Sequence, residues 1–496
     1  MLPTTAFGKN DIRGIYGDDI TEELYYYTGR AFVKYLEKKS GKQTSDIWVT
    51  ICFDARTHSP SLCDALTKGV LSTSANVIDL GLAPTPIGYF SETVGVDSTI
   101  TDGQTVLGAL IITASHNPSQ YNGLKMTHEK QTLNEAQIAE LKEITIDEYN
   151  TKYPTRLNGK IKKYDIFPDY TQEIIADFSN LRRIINNNLK IVVDSGNATG
   201  GIIAPQLYRS LGCKVVELYS TPDGRFPNHH PNPSDPKNLE DLKRTVIAEK
   251  ADFGIAFDGD SDRIGVVDNE GNHLTGDKLL YIYALDVVQQ YKMKQITPVV
   301  VSEVKCSQVL FDMVNKIGGQ AVMCKTGHGY VKGKMKETGA VLAGEMSGHT
   351  FFKDRHYGYD DAIYAGCRII EIFAKQKAKN ANFILKDLLS PFDKVYSSPE
   401  VRFNCPNELK KPVLQEFETL VRNNNKLFTD EIKEIITLDG MRIVFNNGFA
   451  LIRQSNTEPV FTLRFEAETE QKSNQYKEAM TSNLDKLINK HQSISV

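Results

Sequence analysis

Three aspartates alternate with small residues in F-D-G-D-S-D-R, Phe257 to Arg263. On a helix Asp260 would point away from Asp258 and Asp262, whereas a tight loop can turn all three carboxylates toward one point. Carboxylates that close repel unless a cation lies between them, and oxygen-only ligands suit a hard ion, Mg²⁺ or Ca²⁺. Apolar runs flank the loop, F-G-I-A-F before and I-G-V-V after. Crowded carboxylates between two buried strands would be costly without a compensating cation. The loop is not an EF-hand. Arg263 stands at the sixth position, which needs Gly, and Asn269 at the twelfth, which needs Glu. Three protein ligands leave a position open for a phosphate oxygen.

Other polar stretches have the same look of a loop set between apolar runs. In I-I-T-A-S-H-N-P, Ser115 follows a strand-like run, His116 is adjacent, Pro118 stops a helix from starting at once, and Lys125 follows in Y-N-G-L-K. Read alone, a Ser after a strand is a turn or cap residue. A phosphate on Ser115 would need cations nearby, and a metal held by three aspartates could supply the charge. In A-G-E-M-S-G-H, two glycines bracket Glu345 and Ser347, side chains suited to sugar hydroxyls. The spacing is not that of a G-x-S-x-G nucleophile elbow. R-Q-S-N-T-E-P packs Arg453, Ser455, Asn456 and Thr457 together, and short polar side chains with an arginine clamp can cradle a phosphate. Arg13 in N-D-I-R-G, His328 in K-T-G-H-G, and Lys305 are by themselves ordinary surface or core groups.

The elements that must position these residues repeat. I-W-V-T-I-C-F-D, L-K-I-V-V-D and T-P-V-V-V-S-E are β-branched, apolar runs, and each ends in a carboxylate: Asp54, Asp194 or Glu303. A helix-length segment and a second apolar run follow each. That is a β-α-β unit used three times, and it predicts an α/β fold of related domains with mixed sheets. The last hundred or so residues differ. Pro391 and S-S-P-E-V-R-F-N-C-P-N-E-L-K-K-P read as a linker, before a smaller α+β module ending in an amphipathic helix around residues 473–490. The expected domains are 1–160, 161–272, 273–391 and 392–496.

A chain of 496 residues with 40% hydrophobic content is too long for one ordinary domain. A net charge of −4 with no basic tract argues against nucleic acid as a partner. No run of about 18 apolar residues occurs, so no membrane span is expected. The N-terminus lacks a basic start and an apolar core, so a cytoplasmic protein is expected. Seven cysteines without a C-x-x-C read as reduced, mostly buried thiols.

Together the segments resemble the α-D-phosphohexomutase superfamily, and within it the bacterial phosphomannomutase/phosphoglucomutase group. N-D-I-R-G, T-A-S-H-N-P with Y-N-G-L-K, D-G-D-S-D-R, V-K-C-S, K-T-G-H-G, G-E-M-S-G-H and R-Q-S-N-T-E-P occur in the family's order along almost the whole chain. The resemblance implies four domains around one cleft, three of them α/β and the fourth a smaller α+β domain. It implies that Ser115 carries a phosphoryl group, and that Asp258, Asp260 and Asp262 bind Mg²⁺ with the phosphoserine as the remaining protein ligand. Arg263 matches an active-site arginine. Glu345 and Ser347 match contacts to the sugar ring, and His349 closes that loop. Arg453, Ser455, Asn456 and Thr457 match the cradle for the phosphate that is not transferred. Arg13, His116, Lys125, Lys305 and His328 match positions lining the cleft, and Lys125 and His349 are the candidates for the general acid/base. The implied reaction interconverts hexose 1- and 6-phosphates through a hexose 1,6-bisphosphate, in a monomer whose partner is a phosphosugar. Met346, where phosphoglucosamine mutases typically carry Gln, favours glucose or mannose. Asn10 stands where many close relatives have an aromatic residue. The rival readings are a phosphoglucosamine mutase, a non-catalytic sugar-phosphate binder or regulator, and a metal-dependent phosphatase.

Overall fold

The structure is a computed structural model and describes residues 2–494 apart from 157, 187, 425–426 and 456–458. The chain divides into two compact units, Met1–Gly276 with Ser347–Leu385, and Asp277–Met346 with Lys386–Val496.

The first unit holds two sheets of one plan. In the seven-stranded sheet, Trp48–Phe53 runs parallel to Asn76–Leu82 on one side and Val106–Ile112 on the other. Val106–Ile112 then pairs antiparallel with Tyr121–His128, whose far edge pairs with Ile12–Ile15. In the five-stranded sheet, Lys190–Asp194 is parallel to Lys214–Leu218 and Phe253–Phe257, and the latter pairs antiparallel with Ile264–Asp268. Central strands such as Phe253–Phe257 are buried along their whole length. Burial on both faces is why they read as continuous apolar runs rather than alternating ones.

The second unit opens on the same plan. Val299–Glu303 is parallel to Gln320–Cys324 and Leu342–Gly344. Its remainder is a six-stranded antiparallel sheet backed by the helices Asn407–Asn423 and Glu470–Ile494. The second of these buries Tyr476, Met480, Leu484, Leu487 and Ile488, a stripe spaced as one helix face requires. The stretch expected to be a linker is structured instead. Val401–Asn404 pairs with Val460–Ala467, Cys405 is fully buried, and the helix begins at Asn407. Arg402 and Asn404 are exposed while Val401 and Phe403 are partly covered. A strand this short and half-polar carries little signal in composition, because an edge strand keeps its charges toward water.

The three repeat-ending carboxylates are all buried and all bonded. Asp54 accepts from the Ser59 and Thr113 hydroxyls and from Arg56, Asp194 from the Gly196 amide, and Glu303 from the Met346 amide and the Thr326 hydroxyl. His229 Nε2 lies 3.0 Å from Asp194. All seven cysteines are buried free thiols. Among the described residues no helix is long and apolar enough to cross a membrane.

Burial acts to lower the pKa of His229, but the hydrogen bond and charge of Asp194 outweigh it and hold the imidazole above the ordinary histidine value. A raised folded-state pKa adds stability that is present in full below the unfolded value and is lost as pH rises through the folded one. Asp194→Asn is therefore expected to cost more stability at pH 6 than at pH 8.5 in denaturant titrations. An equal cost at both pH values would show that the pair is not charged.

Candidate functional site

Three of the polar stretches singled out in the sequence occupy one place in the repeated plan. Ser115 lies in the connection from Val106–Ile112 to Tyr121–His128, and the aspartates lie between Phe257 and Ile264. Glu345 and Ser347 lie between Leu342–Gly344 and Thr350–Phe352. Each follows the third strand of a β-α-β unit, where a parallel run ends and the chain reverses. The unit boundary falls inside that last connection, between Met346 and Ser347.

In the first unit, Ser115 Oγ donates to Asp258 Oδ2 at 2.7 Å and lies 3.1 Å from His116 Nδ1. Lys125, on the strand that leaves the loop, places Nζ 2.6 Å from Asp260 Oδ2 and in closer contact with Asp262 Oδ2. The Thr85 hydroxyl also donates to Asp260 Oδ2, at 2.5 Å, while its amide bonds the Asp260 carbonyl. Asp258 Oδ1 accepts the amides of Asp262 and Arg263. The three aspartates are fully buried, and a ligand oxygen from each lies within 4.8 Å of the others. Asp260 Oδ1 and Asp262 Oδ1 receive no hydrogen bond. Two buried carboxylate oxygens with no donor, beside a third carboxylate, fit a hard divalent cation that takes oxygen ligands.

Burial and the charges of Asp262 and Asp260 push Asp258 well above the usual carboxylate range. Burial pulls in the same direction on Asp262, but His349 and Lys125 outweigh it and hold that group ionised. Lys125 is lowered by burial and raised further by the two carboxylates, so it stays an ammonium. His116 is depressed well below the ordinary value by burial and by Arg263, and is neutral.

Two glycines allow the close approaches. A Cβ at Gly259 would lie 2.3 Å from the Ser115 carbonyl oxygen, so only glycine lets the aspartate loop reach the serine loop. Gly348 has φ +94, and a Cβ there would lie 2.3 Å from the Ile264 carbonyl oxygen. His349 follows. Its Nε2 accepts from Arg263 Nε at 2.9 Å, and its Nδ1 lies 3.1 Å from Asp360 and 3.5 Å from Asp262. Arg13 donates to Asn117 at 2.8 Å and is paired with Asp11. Ser347 is half-buried, and its carbonyl accepts the Ser234 hydroxyl.

In the second unit, Glu345 is buried and accepts the Gly327 amide at 2.7 Å, next to His328, which begins the helix His328–Thr338. Lys305 lies 3.7 Å from Glu303 and 3.6 Å from Glu400. Burial lowers Lys305, but Glu303 and Glu400 outweigh it and hold it above the ordinary lysine value. Arg453 Nε is bonded to Asp439, and the Ser455 carbonyl accepts Lys410 Nζ at 2.8 Å. Asn456 and Thr457 lie outside the described residues.

Reading the residues in sequence missed Thr85, Arg56, Thr113 and Asp360. Asp54 was conspicuous as a strand end, but Arg56 beside it looks like a surface charge in A-R-T-H. Thr85 sits in A-P-T-P, which reads as a helix start and gives no hint of an aspartate far along the chain.

The fold and these loops define a phosphohexomutase of four domains. Residues 4–152, 168–271 and 275–392 match alpha/beta/alpha domains I, II and III of phosphoglucomutase/phosphomannomutase, and residues 400–482 match its C-terminal domain. The phosphomannomutase/phosphoglucomutase of Pseudomonas aeruginosa is 37% identical over 483 residues, 97% of this chain and 96% of that protein. The phosphoglucomutase of Neisseria gonorrhoeae is 36% identical over 96% of this chain and 97% of its own length. A crystal structure of a phosphoglucomutase/phosphomannomutase family protein from Burkholderia thailandensis superposes with a TM-score of 0.84 at 34% identity, covering 98% of each chain. The chain belongs to the α-D-phosphohexomutase superfamily, in its bacterial phosphomannomutase/phosphoglucomutase group.

Groups that orient metal ligands typically change affinity by about 10- to 100-fold when removed. Thr85→Val is expected to lower divalent-cation affinity within that range in calorimetric titration with Mn²⁺, and Thr85→Ser to restore it. Wild-type affinity in the valine variant would show that the hydroxyl does not set the position of Asp260.

Proposed function

We propose that the chain is a phosphohexomutase that interconverts hexose 1-phosphate and hexose 6-phosphate, of mannose or glucose, through phosphoserine at Ser115 and a hexose 1,6-bisphosphate. The observation that carries this is the Ser115 hydroxyl bonded to Asp258, within a cluster of buried carboxylates that also holds Lys125. The segments 1–160, 161–272, 273–391 and 392–496 are proposed as domains bearing the serine, aspartate, sugar and phosphate loops. The enzyme acts as a cytoplasmic monomer on a small phosphosugar, with no nucleic-acid or membrane partner.

Phosphoryl transfer asks for in-line positioning and charge stabilisation. Asp258, Asp260 and Asp262, with the phosphoserine, would hold Mg²⁺, which when bound offsets charge on the phosphoryl group. Arg13, Arg263 and Lys125 add fixed positive charge, and the neutral His116 accepts or donates at Oγ without adding to it. In one half-reaction the phosphoserine P–O bond breaks, a P–O bond forms to the sugar hydroxyl, and the hydroxyl proton passes to a base. In the other, Ser115 takes back the second phosphoryl group as the sugar oxygen regains a proton. Lys125 and His349, the two candidates for the general acid/base, both lie against Asp262. Glu345 and Ser347 read ring hydroxyls, and His328 and Lys305 line the sugar site. Arg453, Ser455, Asn456 and Thr457 hold the phosphate that stays.

Brief exposure to glucose 1,6-bisphosphate followed by mass spectrometry is expected to place one phosphate on Ser115, and none on the Ser115→Ala protein. Mutase turnover with Ser115 unmodified would end this reading. In coupled assays Asp260→Asn is expected to lose on the order of 100-fold in kcat. Turnover confined to glucosamine 1-phosphate would instead make the chain a phosphoglucosamine mutase.

A further inference from the structure

Arg56 is 1% exposed and lies outside the seven short motifs that carry the resemblance in the sequence. A guanidinium offers five N–H donors in a fixed planar fork. Here all five are engaged. Nε donates to Asp54 Oδ2 at 3.0 Å. One terminal nitrogen donates to the carbonyls of Pro118 at 2.6 Å and Tyr121 at 3.0 Å. The other donates to the carbonyls of Ser115 at 2.9 Å and Asn117 at 2.6 Å. The loop after Ile112 is thus wrapped around a single buried cation.

A second path reaches the same serine. The Thr113 hydroxyl donates to Asp54 Oδ2 at 2.9 Å and accepts the Ser115 amide at 2.8 Å. The peptides on both sides of Ser115 are therefore held, one through its N–H and the other through its C=O. Ser115 itself has φ +51, a left-handed conformation that a non-glycine residue adopts at some cost and keeps where its surroundings over-determine it. In a trans peptide the N–H points opposite to the C=O. Gripping the Ser115 carbonyl therefore turns the His116 amide away from Arg56.

We propose that Arg56, through Asp54 and Thr113, is the positioning residue of the phosphoryl carrier: its fork sets the left-handed turn that aims Ser115 Oγ at Asp258. The inference rests on the reading of Ser115 as that carrier. Arg56 makes no hydrogen bond to Ser115 Oγ or to Asp258, Asp260 or Asp262, and it works by fixing the peptides of the serine loop. A lysine would keep a charge and an apolar stem but offers three tetrahedral donors in place of the planar five.

The test compares wild type, Arg56→Lys, Thr113→Val and Thr113→Ser. The readouts are the rate of Ser115 phosphorylation by glucose 1,6-bisphosphate, kcat and KM for the mutase reaction, and amide exchange over residues 113–121. Misplacing a reacting group by about 1 Å can cost on the order of 100-fold in rate. Arg56→Lys is expected to lose that much in phosphorylation rate and in kcat, with KM within about two-fold of wild type, because ligand-binding groups are untouched. Thr113→Val should fall in the same direction and Thr113→Ser should be restored. Amide exchange over 113–121 should quicken in the impaired variants. A folded Arg56→Lys protein that phosphorylates Ser115 at the wild-type rate would overturn the proposal. If that variant does not fold, wild-type phosphorylation in Thr113→Val would do so. Failure of the wild-type protein to take phosphate would remove the carrier reading, and the exchange data would then still decide whether Arg56 and Thr113 hold the loop.

Discussion

Three carboxylates buried at one point are the constraint on which the first unit is built. Two like charges about 4 Å apart repel by roughly 4 kcal/mol at the effective dielectric of a protein. Three such pairs must be offset before the loop can close. The offset is local: the Lys125 ammonium on Asp260 and Asp262, the Ser115 hydroxyl on Asp258, the Thr85 hydroxyl on Asp260, and His349 beside Asp262. None of these partners lies in the aspartate loop. Thr85, Ser115 and Lys125 come from a helix, a loop and a strand more than a hundred residues earlier, so closing this charge cluster and joining the N-terminal sheet to it are one event.

The oxygens divide the task. Lys125 and Thr85 use the Oδ2 atoms of Asp260 and Asp262, and the Oδ1 atoms take no donor. Asp258 is used on both sides, by two backbone amides and by Ser115. A lysine that occupied every oxygen would leave nothing for a divalent ion. One that is held to a single oxygen of each carboxylate lowers the charge of the site and still leaves ligands for a cation. The same geometry puts the Ser115 hydroxyl against one of those carboxylates, with the Lys125 ammonium on the other two.

Much of this was readable before any coordinates, for a physical reason. The parallel strands are covered on both faces, so I-W-V-T-I-C-F-D, L-K-I-V-V-D and T-P-V-V-V-S-E stand out as apolar runs, and the common layout that follows them exposes the repeat. The polar loops stand out because carboxylates, glycines and a proline are unusual between such runs. What was not readable has a common character. Thr85, Arg56 and Asp360 act through partners 175, 59 and 11 residues away, or more, and nothing near them in sequence differs from a helix cap or a surface charge. The strand Val401–Asn404 reads as a linker because one pairing edge with two polar residues leaves too weak a pattern.

The repeated carboxylate at the end of each central strand joins the two levels. Asp54 holds Arg56 and Thr113, which hold the serine loop, and Glu303 holds the Met346 amide in the loop that carries Glu345. In both, a buried carboxylate at the end of a strand paired on both sides reaches across to the neighbouring connection and takes a donor from it. Asp194 takes instead the Gly196 amide and His229, and the aspartate loop beside it is fixed by its own charge pairing. A loop with no charge cluster of its own thus borrows rigidity from the strand end, and a loop with one does not need to. The repeat places a buried carboxylate at three equivalent points, and at two of them it takes a donor from the neighbouring loop and so fixes that loop's backbone.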